Sequence, residues 1–113
     1  MTYRQEICYR VGEIIEIVQH IEWHLLEKLA MDGHKEITFG GISGLARGYG
    51  IIDHETAIEL DYIVAERNDL VHQYFKRQDF EAHPRTDDFW LAELRHLDDL
   101  KSRVLNLNHR LSR

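Results

Sequence analysis

Apolar residues recur along the chain with helical spacing in four separate stretches, and only one proline interrupts them. The first stretch, from about Thr2 to Met31, places Ile7, Val11, Ile14, Val18, Ile21 and Leu25 alternately four and three residues apart, the spacing of one buried stripe. Trp23, Leu26 and Leu29 widen that stripe late. Gly33 is the natural stop. A glycine-rich run follows, in which Thr38 can cap a short helix and Gly50 can end it. Asp53 can cap a third helix whose apolar pattern passes through Ala57, Leu60, Ile63, Val64, Leu70 and Val71 to Tyr74 and Phe75. A polar break containing Pro84 then leads to Thr86, Asp87 and Asp88, an acidic helix start. The last helix carries Leu94, Leu97, Val104, Leu107 and Leu111, with Leu91 and Leu100 alongside.

These elements predict an all-α domain spanning residues 1–113. Two long amphipathic helices flanking a short and a medium one suggest an antiparallel bundle closed by packing of the stripes. Helices this long in so small a chain leave apolar surface to cover, and a homodimer would cover it.

Composition narrows the function. With 43% hydrophobic and 30% charged residues and no apolar run of membrane-span length, the chain reads as a cytoplasmic protein with no membrane partner. The net charge of -6 disfavours broad attraction to nucleic acid, so any phosphate chemistry must be local. The basic stretch of Lys101, Arg103, Arg110 and Arg113 is better read as complementing a helix dipole. Cys8 has no cysteine to pair with and is expected to be a small packing residue.

Several other signals carry little. His20 and His24 lie four apart with Glu16 and Glu27 nearby, but no third ligand is identifiable and no cofactor is expected. The glycines from Gly40 to Gly50 lack the Gly-Lys-Ser/Thr of a phosphate-cradling loop. No serine or cysteine sits in a nucleophile motif. Trp23, Phe89 and Trp90 read as core or interface anchors.

The informative stretch is "ERNDLVHQYFKR", Glu66 to Arg77. Steps of three and four through Leu60, Ile63, Arg67, Leu70 and Tyr74 put a guanidinium inside an apolar line, where it must snorkel out to water, meet a carboxylate, face an interface cleft or await an anionic ligand. Asp61, Glu66 and Asp69 are the candidate structural partners. Asn68 and His72 are four apart and share a face. Arg67 lies roughly 140° around the helix from His72, so a compact site would need two copies packed about a twofold axis.

Arg67 and Asn68, then His72, Gln73 and Tyr74, resemble the Arg-Asn, spacer, His-x-Tyr signature of HEPN domains, helical nucleotide-binding domains of prokaryotic toxins and defence proteins. The run "TFGGISGLARGYGIIDHETAIELDYIVAERNDLVHQYF" is also similar to the core of HEPN-like families. The resemblance implies an up-and-down four-helix bundle with an additional short helix, dimerising through the motif helices. In active members it implies a metal-independent endoribonuclease of a toxin–antitoxin or defence system. Catalysis would fall to Arg67, Asn68 and His72, with His72 moving the proton and Arg67 stabilising charge on phosphorus. Tyr74, Lys76 and Arg77 would bind substrate, and Phe75 beside the two cations could stack on a nucleotide. Tyr74 also matches the tyrosine that a partner nucleotidyltransferase antitoxin adenylylates in HepT-like members. Two other functions fit the same residues. One is a noncatalytic HEPN-like regulator resembling mannitol operon repressor-like proteins, with a structural Arg67. The other is a nucleotide-binding sensor.

Overall fold

The computed structural model describes residues 1–31, 37–80 and 85–113, so Gly33 and Pro84 lie outside the described residues. Among them there are five helices and no strand: α1 (Tyr3–Lys28), α2 (Phe39–Gly48), α3 (His54–His72), α4 (Tyr74–Gln78) and α5 (Asp87–Leu111). The two expected caps form, Thr38 accepting from the Gly41 amide and Asp53 from Thr56. Thr86, at the acidic start of the last helix, also caps it, accepting from the Phe89 amide. Thr2 completes a capping box with Gln5, which satisfies donors at both positions. None of the described helices is long and apolar enough to cross a membrane.

α1 ends before Met31. Ala30 turns into the left-handed region at φ 54° and donates to the Glu27 carbonyl, while Met31 donates to Leu26. This is a Schellman closure, in which the last carbonyls are satisfied by the chain doubling back. Gly50, at φ 69°, closes α2 in the same way.

The core is continuous across the helices. The α1 stripe of Ile7, Val11, Ile14, Val18, Ile21 and Leu25 is buried against Leu97, Leu100, Val104, Leu107 and Leu111 of α5, with Phe39, Ile42, Leu60, Ile63 and Leu70 completing it. Trp23 and Leu91 are about half exposed, and Cys8 is exposed rather than packed. Their positions fall just past the edges of the two stripes.

Direction is read from the cross-helix contacts. Tyr3 stacks on Trp90, Arg10 pairs with Asp98, Glu13 with Lys101, and Lys28 reaches the Arg113 carbonyl. Partners advance together, so α1 and α5 are parallel. On the other side Glu59 meets Arg103 and Thr56 meets Arg110, so α3 runs against α5. The antiparallel expectation therefore holds for α3 against α5 and not for α1 against α5. α3 is the long return helix, and apolar periodicity carries no information about which neighbour a stripe will face.

The third helix was expected to continue through Phe75. It stops instead at His72, with Gln73 at φ -125° and ψ -30°, and α4 starts a new turn. Arg77 grips Asp69 through two bonds of 2.8 and 3.0 Å. Eight residues of straight helix would separate them by about 12 Å along the axis, so the break is what makes the clamp attainable.

Candidate functional site

α3 buries Ala57, Leu60, Ile63 and Leu70. Arg67 falls on this side of the helix and is half-buried, whereas Asn68 and His72 are exposed. The Arg67 Nη1 donates to Asn68 Oδ1 at 3.2 Å, which joins two of the three motif residues. His72 shares the outward face with Asn68 and Ala65, and among the described residues no hydrogen bond ties it to either motif partner.

The acid that faces Arg67 comes from α1, not from the neighbouring acids of its own helix. Glu22 has its carboxyl raised above the ordinary value, chiefly by burial, and the charge of Arg67 opposes that rise. A guanidinium half out of water thus stands near a carboxylate that would itself gain from being neutral. Sequence gave no warning of this pair, because the two residues are 45 positions apart on different helices.

The residues after the motif divide sharply. Tyr74 is only 2% exposed, and its hydroxyl donates to Glu93 Oε2 of α5 at 2.7 Å. Burial, and then the bond to Glu93, push the phenol well above its usual range. Arg77 is occupied by Asp69, lies 5.8 Å from the Tyr74 ring centroid, and holds the Asp69 carboxyl below its ordinary value. Lys76 is exposed. Of the three expected substrate contacts, it alone is offered to solvent without an ion pair among the described residues.

Around α4 the aromatic residues gather. Phe75, Phe80, Phe89 and Trp90 join Tyr74 in a chain of ring contacts between 4.9 and 6.4 Å. Arg85 lies over the Phe89 ring at 4.8 Å. Glu93 and Phe80 were not singled out from sequence; Phe80 sat inside a polar run, and Glu93 is an unremarked acid until α5 brings it to Tyr74.

An imidazole, an amide and a guanidinium therefore sit within two turns of one helix, with the first two turned outward. A single copy does not bring the imidazole and the guanidinium together. No group of three or more metal-ligating side chains is assembled among the described residues.

No curated protein and no solved structure matches the chain. A family model described as Ribonuclease HepT-like matches residues 1–81, a span that takes in α1 to α4 and the whole Arg67-to-His72 motif. With the helical order and the motif helix already in place, that match over most of the chain means that it belongs to the HepT-like family.

Proposed function

We propose that this chain is a metal-independent endoribonuclease of HEPN type, a single domain over residues 1–113 that acts as a cytoplasmic homodimer and serves as the toxin of a toxin–antitoxin or defence pair. The observation that carries this reading is the exposure of His72 and Asn68 on one face of the motif helix, with Arg67 bonded to Asn68 behind them. A histidine kept for packing would be sealed in the core. Here it is presented to solvent, on a face that also shows Ile58 at 56% exposure, apolar surface for a second α3 to cover.

Pairing two copies through this face would bring each imidazole towards the partner's arginine. The chemistry is transesterification. The ribose 2′-oxygen attacks the adjacent phosphorus as its proton passes to one His72, and the bond to the 5′-oxygen breaks with a proton supplied from the second. The products are a 2′,3′-cyclic phosphate and a 5′-hydroxyl. Arg67 stabilises the charge that develops on the phosphoryl oxygens, and Asn68 orients it. Lys76 holds a neighbouring phosphate, and Arg77 contributes once its pair with Asp69 opens. Tyr74 is the residue that a nucleotidyltransferase-type antitoxin would modify, a step that requires its bond to Glu93 to be broken first.

His72→Ala and Arg67→Ala should each lower RNA cleavage in the presence of a chelator by at least about a hundred-fold, the usual scale for a proton-transfer group or a charge stabiliser. Both variants should keep the parent's sedimentation and helical content. Cleavage retained in both would refute the assignment. One observation favours a second reading, a noncatalytic regulator: Arg67 has a carboxylate in Glu22 to answer it. In that case Arg67→Ala would lower stability, and no variant would change RNA.

A further inference from the structure

The turn of helix after the motif leaves a hollow against the start of α1. Arg4, Phe75, Asp79 and Phe80 line a concavity of about 220 Å³ beginning three residues along the chain from His72. The Phe75 and Phe80 rings meet edge to face, at 6.1 Å and 86°. Phe75 is nonetheless 43% exposed. Asp79 sits at the rim with φ 44°, closing α4 by donating its amide to the Phe75 carbonyl. Lys76 is exposed on the same short helix.

We infer that this hollow is a nucleobase subsite for single-stranded RNA, with guanine its preferred occupant, beside the phosphate handled by His72. The inference rests on the ribonuclease reading for its choice of ligand class. Aromatic faces bind any base by stacking, and nearby cations take the phosphates, the combination used for single strands. In a chain with net charge -6 such cations have to act locally; Lys76 is exposed next to Phe75 in the chain, and Arg4 is part of the lining of the hollow. Asp79 adds selectivity. An ionised carboxylate only accepts hydrogen bonds, so it suits an edge with adjacent donors. Guanine offers N1–H and its 2-amino group side by side. Uracil offers one N–H between two carbonyls that a carboxylate repels.

The test is binding of short labelled single-stranded RNAs, one all uridine and one with a single guanosine, to the His72→Ala chain, read by fluorescence anisotropy at low salt. The guanosine RNA should bind more tightly. Phe75→Leu keeps the apolar bulk against Tyr74 and Phe80 but loses the stacking face, and should weaken that binding roughly ten-fold. Asp79→Asn should erase the preference for guanosine, weakening the guanosine RNA while the uridine RNA, relieved of the repelling carboxylate, binds as well as before or better. An unchanged thermal midpoint shows that both variants fold. If both bind the two RNAs as the His72→Ala chain does, the subsite is overturned. Cleavage by the unaltered chain, assayed separately, distinguishes the two claims. Phe75-dependent binding without cleavage retains the subsite and removes the nuclease, whereas cleavage with Phe75-independent binding does the reverse.

Discussion

Arg67 and Tyr74 behave oppositely to what their side-chain chemistry suggests. The cation is only half-buried and leans on Asn68, with Glu22 nearby, so it remains within reach of an anion. The phenol, which looks like an accessible polar handle, is enclosed and committed to Glu93. A buried hydroxyl bonded to a carboxylate is an expensive contact to lose, because the acceptor is left without its donor. Tyr74→Phe should therefore lower stability by about 2 kcal/mol in urea denaturation. A change below about 0.5 kcal/mol would mean that water replaces the hydroxyl freely.

At the scale of elements, the ends of helices are where sequence and structure diverge. Thr38 and Asp53 were readable as caps because a short side-chain oxygen before an apolar period has one local use. The end of α1 was misplaced because Ala30, not a glycine, takes the left-handed position. An L-residue there carries strain of about 1–2 kcal/mol, and glycine removes it while enlarging the unfolded ensemble at a cost of about 0.4–1 kcal/mol. Ala30→Gly should thus stabilise the protein by roughly 0.5–1 kcal/mol, seen as a higher melting temperature. A lower one would show that Leu26 and Glu27 hold the turn without strain. The break at Gln73 was missed for a different reason: Asp69 and Arg77 attract each other across a distance that no helical period encodes.

Across the whole molecule the carboxylates pull in two directions with pH. Glu59 and Asp69 lie below their ordinary values of 4.5 and 3.8, held down by bonds to Arg103 and Arg77. Their contribution to stability is complete above those values and is lost as pH falls through them towards the lowered native ones. Glu22 is raised above 4.5 by burial, so its ionised form costs stability above its native pKa, and that cost vanishes on acidification. Glu22→Gln should accordingly be more stable than the parent at pH 7. The advantage should shrink as pH drops through the raised value and disappear below about 4.5. Urea midpoints across that range measure it, and a constant offset at every pH would exclude burial of the charge as the cause.

Periodicity and capping, which act between residues a few positions apart, made four helical stretches and most of the buried stripe legible from the chain alone, but not the break that separates α4 from α3. The motif residues could also be named in advance, since Arg67, Asn68, His72 and Tyr74 are neighbours in sequence. What each one touches depended on the tertiary arrangement. Glu22 acts on Arg67 through its charge, Glu93 accepts from Tyr74, and α5 lies parallel to α1, relations that join positions 19 to nearly 90 residues apart. Such pairings are selected by the packing of whole helices, a collective burial that no local pattern records.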